Sequence, residues 1–232
     1  MTGGIVLIMK RLFKATAVLF AAVLFLSMLL TGCGEQVSVS VKEDAENYVK
    51  AVLDLICTDE YDHSVTFADV ESVKERASRD AMISEIINYV AEDNDLTEEQ
   101  RAELGGAIAR AFTTCRYSIK DVKETDDGGC DVTVSIEPLK LFSGVSDVLN
   151  QKVEELSTDT DNAISMTEEE QTAALAAVLF SQLNQNLDDP QYAPAEEVIV
   201  HYGLLQGTED RYGIDANAGK VLGEKLFSSE GL

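Results

Sequence analysis

The chain has 232 residues, and its 42 acidic side chains outnumber 18 lysines and arginines to give a formal net charge of −24. That excess argues against a nucleic-acid partner, because a phosphate backbone is held by basic side chains. It favours cationic partners, whether basic proteins, cationic peptides or diffusely held divalent metals, although net charge acts on solubility before it acts on partners.

The first element reads as an export signal. Lys10, Arg11 and Lys14 form a basic head, and residues 15–30 follow as an uncharged, almost wholly apolar run of sixteen. A membrane-spanning helix needs about 20 such residues, so the run is better suited to a signal core. It ends in Leu30-Thr31-Gly32-Cys33. These four residues resemble the lipobox of bacterial lipoproteins, in which the cysteine sulfur takes a diacylglyceryl group and becomes the first residue after cleavage. The resemblance implies that residues 1–32 are removed, that Cys33 is lipidated, and that the protein is held at the outer face of the cytoplasmic membrane. A plain secretory signal and an uncleaved anchor are the competing readings. Residues 1–8 carry no charge and Met9-Lys10-Arg11 is the usual opening of such a signal, so Met9 is the expected start.

Cleavage would leave 33–232, which is 200 residues, room for one domain with a sizeable core. The signal takes three basic residues and no acidic one, so the remaining charge is −27. Such a body repels anionic headgroups and wall polymers. Residues 34–41 read as a tether, and 42–232 as a single α+β domain expected to be monomeric. Cys57, Cys115 and Cys130 remain, an odd number with no CxxC or Cys/His spacing for zinc. A tight turn at Asp127-Gly128 would set Cys130 opposite Thr125 and leave Cys115 far down the other strand, so buried free thiols are expected.

Along the domain, Ala45, Tyr48, Val49, Val52, Leu53 and Ile56 recur at helical spacing and form one apolar stripe. Thr66 is placed to cap a further helical stretch, and Met82, Ile83, Ile86, Ile87 and Val90 continue an apolar face. Thr97-Glu98-Glu99-Gln100 has the form of a capping box, and Leu104, Ile108, Ala111, Phe112 and Cys115 make the buried face of the helix it opens. Strands follow around Tyr117 and Ile119, and around Val132, Val134 and Ile136, joined at Asp127-Gly128 and closed by Pro138. Residues 139–149 are apolar, 157–162 are a polar loop, and Thr167 to Glu170 repeats the capping box ahead of Ala174, Leu175, Val178, Leu179, Leu183 and Leu187. Val198, Val200 and Tyr202 predict a third strand, Tyr212 and Ile214 a fourth, and residues 217–227 a last helix.

This order predicts a four-stranded curved antiparallel sheet packed against helices. The helix with Tyr48-Val49-Lys50-Ala51, the strand ending Val134 to Leu139, and the closing pair Val198-Ile199-Val200 and Tyr212-Gly213-Ile214-Asp215 resemble an uncharacterised family of Firmicute lipoproteins. The resemblance implies a cystatin-like or nuclear-transport-factor-2-like fold and supplies no catalytic residues.

Chemistry is sparse. There are two histidines, His63 and His201, and no GxSxG, HExxH, P-loop or dinucleotide turn. Asp93-x-Asp95 and Asp159-x-Asp161 invite a calcium reading, but each lacks the glycine at the sixth loop position, so solvated helix-entry acids explain them better. Neither a metal nor a cofactor is expected. Curved sheets backed by helices often enclose an apolar pocket, and Phe112, Tyr117, Tyr202 and Tyr212 are candidates to line one. The leading expectation is a non-enzymatic binding or interaction domain. The alternatives are a pocket enzyme of the ketosteroid-isomerase kind, with His201 or Glu137 as acid or base, and a structural component of an envelope complex.

Overall fold

Ser40 opens the first helix, α1 (Val41–Thr58): its hydroxyl accepts from the Glu43 amide at 3.3 Å and its carbonyl from the Asp44 amide at 3.0 Å. Glu43 and Asp44 then sit in the first turn, where the helix dipole favours negative charge. The structure, a computed structural model, describes residues 40–58, 83–84, 86–88, 96–158, 166–205, 212–214 and 216–231. The signal segment, Cys33, His63, Thr66 and the aspartates of both calcium-like motifs lie outside the described residues.

Every residue of the predicted α1 stripe is buried, and so are Ala51, Leu55 and Cys57. The helix is covered on more than one side because it touches all four strands and also α2 (Glu98–Thr114). The capping box of α2 forms as predicted, Gln100 amide to Thr97 hydroxyl at 3.2 Å and Thr97 amide to the Gln100 side chain at 3.0 Å. Leu104, Ile108, Ala111 and Phe112 are buried, and Ile83 and Ile86 belong to the same core.

The strands β1 (Arg116–Glu124), β2 (Cys130–Glu137), β3 (Glu196–Leu204) and β4 (Tyr212–Ile214) pair antiparallel in the order β1-β2-β3-β4. This is the open, four-stranded α+β sheet that the sequence predicts. Cys130, Val132, Val134 and Ile136 of β2 and Val198, Val200 and Tyr202 of β3 point into the core. They pack beneath α1 and α5 (Ala216–Leu226).

The first hairpin corrects the predicted register by one residue. Gly128 donates to the Thr125 carbonyl at 3.1 Å and Thr125 to the Gly129 carbonyl at 3.0 Å, with Gly128 at φ 85°. This is a three-residue loop, a turn closed by a left-handed glycine, so Cys130 faces Glu124 rather than Thr125. A bulge at Lys120 absorbs the extra residue, and its effect is legible in the burial. Tyr117 and Ile119 face Ile136 and Val134, and beyond the bulge Val122 faces Val132 on the same side. Without it, a period of two would turn Val122 toward solvent.

Pro138 lacks the amide that would continue β2. Leu139, Leu141, Phe142 and Val145 are buried as the chain turns into α3 (Val145–Thr158), which packs on α4 (Glu168–Asp188). α3 runs two residues into the stretch predicted as loop. Ser157 and Thr158 extend it by bonding their hydroxyls back to the Val153 and Glu154 carbonyls at 2.7 and 2.8 Å. The capping box of α4 forms between Thr167 and Glu170.

Gly128→Val should destabilise the protein by about 1–3 kcal/mol, the cost of holding a β-branched residue at positive φ. A side chain there meets nothing within 4 Å, so the loss would come from the backbone alone. Ser118→Ala, on the opposite face from the core, should cost under about 0.5 kcal/mol. Denaturant unfolding of the two variants beside the parent measures both, and an unchanged Gly128→Val midpoint would refute the turn.

Candidate functional site

Pairing β2 with β3 sets Asp131 directly opposite His201. Its Oδ1 lies 2.9 Å from His201 Nδ1, and Asp127 Oδ2 of the β1–β2 turn lies 3.2 Å from Nε2. The turn itself positions Asp127, whose carboxylate accepts from the Gly129 amide at 3.1 Å and from the Thr125 hydroxyl. Glycine flanks the ring on both sides. A β-carbon on Gly203 would stand 2.6 Å from Nε2, and one on Gly129 would stand 2.5 Å from the Tyr202 carbonyl oxygen and 3.0 Å from Cε1. The imidazole therefore lies in a two-glycine seat between two carboxylates, 45% exposed on the solvent side of the sheet.

This geometry bears on proton transfer. Both ring nitrogens already face a carboxylate, so neither is presented to a substrate unless one of these contacts opens. Asp127 is held below its ordinary value of 3.8, first by the Thr125 hydroxyl, then by the Gly129 amide, with the His201 charge adding to them. Glu137, the other proposed acid or base, is exposed and faces Arg116 at 3.6 Å, whose guanidinium lies 4.0 Å over the Tyr192 ring. Among the described residues, no three His, Cys, Asp or Glu side chains are arranged to hold a metal ion.

The four aromatic candidates fall in three neighbourhoods. Tyr202 stacks between Tyr48 at 5.3 Å and Tyr212 at 6.0 Å, under the amino-terminal half of α1. Burial, with the Asp44 charge adding to it, pushes the Tyr202 phenol up to about 12. Phe112 meets Phe227 edge-on at 5.6 Å and is 1% exposed. Tyr117 faces Ile136 whereas Tyr202 faces Cys130, six residues along β2, or about 20 Å. The structure thus joins Tyr202 to Tyr212 and leaves Phe112 and Tyr117 elsewhere.

Tyr117 belongs instead to a polar cluster at the carboxy-terminal end of α1. Its hydroxyl donates to Asp54, which also pairs with Lys50. Burial first, then this hydrogen bond, holds the phenol well above its ordinary value. Cys57 lies one turn beyond Asp54, and Cys115, whose thiol donates to the Ala111 carbonyl at 3.4 Å, stands beside it where α1 meets the start of β1. The Cys57 contact, then burial, raises the Cys115 thiol well above its ordinary range.

No motif in the sequence marks Tyr48, Asp54, Asp127 or Asp131 for this chemistry. Asp131 was the accessible one, since aligning the alternating apolar residues of β2 and β3 places it across from His201.

No family model and no curated protein matches the sequence. Among solved structures the fold is similar to a candidate lipoprotein, YcdA, of Bacillus subtilis, with a TM-score of 0.50 at 15% identity. The match covers 82% of this chain and 57% of that one. At this identity the likeness speaks for the fold alone. No helix among the described residues is long and apolar enough to cross a membrane.

Asp127→Asn keeps an oxygen for the Gly129 amide but removes the charge. A carboxyl held below its ordinary value contributes stability that is present above pH 3.8 and is lost as the pH falls through its folded value. The variant should therefore be less stable than the parent at pH 7, and the gap should shrink below pH 3.8 as the parent's carboxyl takes its proton. Other carboxylates titrate in both proteins and cancel in the difference. Denaturant midpoints at pH 7 and at low pH read the gap, and an equal gap at both would show that the charge is not what holds the turn.

Proposed function

We propose that this chain is a lipoprotein of the bacterial cell envelope, exported and lipidated on Cys33, whose acidic domain binds a cationic protein or peptide at the outer face of the cytoplasmic membrane. Leu30-Thr31-Gly32-Cys33, in register with the end of a signal-length apolar run behind a basic head, carries the reading. The fold likeness to a candidate lipoprotein of Bacillus subtilis is consistent with it.

A binding role is favoured over catalysis by how the polar groups are used. His201 and Glu137 stand in solvent with charged partners, Phe112, Tyr202 and Tyr212 are spent on packing, and the Tyr117 hydroxyl is spent on Asp54. The uncovered face of the sheet offers Ile199, 67% exposed, with Glu197, Asp131 and His201 around it. An apolar contact ringed by carboxylates suits a basic partner carrying an apolar side chain.

Cys33→Ala should abolish membrane retention, because two acyl chains supply the affinity at about 0.8 kcal/mol per buried methylene and an acidic body offers no substitute. Metabolic labelling with a radioactive fatty acid should mark the parent and not the variant. Equal labelling of both, or a variant that stays with the membrane fraction, would refute the anchor.

A further inference from the structure

We infer that Cys57 and Cys115 are a disulfide-forming pair, joined once the folded chain meets a disulfide oxidant. Cys57 ends the buried run of α1, and Cys115 follows α2 immediately ahead of β1. The Tyr117–Asp54 hydrogen bond clamps these two chain segments together, two residues beyond Cys115 and three before Cys57. Both ends are held further by the packing of α1 against α2 and β1. The two thiols are free and brought side by side by this junction, whereas Cys130 lies at the other end of the sheet, opposite Glu124. One cysteine of the three is thus left out, which resolves the odd count without a framework.

Cys115 is the partly buried member and Cys57 is 1% exposed, so the oxidant meets Cys115 first. The Cys115 thiolate attacks one sulfur of a low-molecular-weight disulfide, forming a mixed disulfide and releasing one thiol. The Cys57 thiolate then attacks the Cys115 sulfur and expels the second thiol. The protein loses two S–H protons and two electrons and gains one S–S bond, while the oxidant's S–S bond is reduced to two thiols. The neighbouring Cys57, then burial, holds the Cys115 thiol in its protonated form and slow toward incidental alkylation, and proximity makes the second, intramolecular attack fast. That the pair meets an oxidant in the cell rests on the export reading of Cys33; that it can close does not.

The test uses the full chain, made with its signal in a bacterial host, recovered from membranes, acid-quenched, denatured and labelled with a maleimide that adds mass at each free thiol. Lipidated parent should take one label without reduction and three after it. Cys130→Ser should take none before reduction and two after, and Cys115→Ser two in both. A chain lacking lipid would show one label more, from Cys33, so failure of the anchor is read separately. A parallel sample is reduced and then given glutathione disulfide. Closure of the pair only in this sample supports the pairing and shows that the host's envelope supplies no oxidant to it. Three labels on the parent in both samples would overturn the inference.

Discussion

Leu139 is where three distant pieces of the chain are fastened. It is fully buried, its amide donates to the Leu226 carbonyl and its carbonyl accepts from Ser228, both at 2.9 Å. On either side, Pro138 accepts from Ala193 at 2.8 Å and Lys140 donates to Gln191 at 2.9 Å. Buried backbone groups must find partners, so these bonds fix both where α4 delivers the chain to β3 and where α5 comes to rest. Asn186 of α4 completes the fastening, donating from one side-chain amide to the Leu141 and Ser143 carbonyls at 2.8 Å each. The irregular stretch after β2 therefore acts as a rigid joint between the sheet and the α3–α4 pair.

Given that joint, burial supplies most of the stability. The ion pairs sit at the surface, and exposed pairs contribute at most about 1 kcal/mol each. A chain with so many acidic side chains gains little from them and must rely on its core. The placement of α1 follows. Lys42 pairs with Glu124 at 3.7 Å and Asp54 bonds Tyr117, so the helix runs antiparallel to β1 along the whole covered face. This one helix closes the core over all four strands.

Local rules carried far in the sequence. Both capping boxes, the apolar stripe of α1 and the four alternating strands each depend on residues within a turn or a hairpin of one another, and each formed; the stripes of α2 and α4 formed in part, with Cys115, Ala174 and Val178 only half-buried and Ala176 and Phe180 buried beside Leu175, Leu179, Leu183 and Leu187. What was hidden depends on distance in the chain or on one inserted residue. The β1–β2 register moved because Gly128 closes a three-residue loop, and the compensating bulge at Lys120 has no separate signature in a run that alternates on both sides of it. The burial of Ala51, Leu55 and Cys57 followed from α2 covering a second side of α1, which periodicity along α1 alone cannot report. For the same reason the contact of Cys57 with Cys115 was illegible, while the separation of Cys115 from Cys130 needed only the hairpin. The site around His201 was half legible, because its cross-strand carboxylate follows from register and its turn carboxylate depends on the loop geometry that was misread.

The direction of α1 also orients the domain relative to the anchor we propose. Six residues separate Cys33 from Ser40, and the seven steps between them span at most about 25 Å when extended. The amino-terminal end of α1 lies beside Glu124 and the β1–β2 turn, so a lipid on Cys33 would bring that end of the sheet nearest the membrane. That end carries Glu124, Asp126, Asp127 and Asp131, with His201 between the last two. Repulsion between these carboxylates and anionic headgroups acts over a Debye length of about 8 Å, well within the reach of the tether. The chain would be drawn out rather than laid flat, and the solvent face of the sheet would stay accessible from the side. Cys57 sits at the far end of α1, a helix of 18 residues and about 27 Å. The thiol pair would then stand on the membrane-distal side, where a soluble disulfide can reach Cys115 without approaching the acidic end or the lipid.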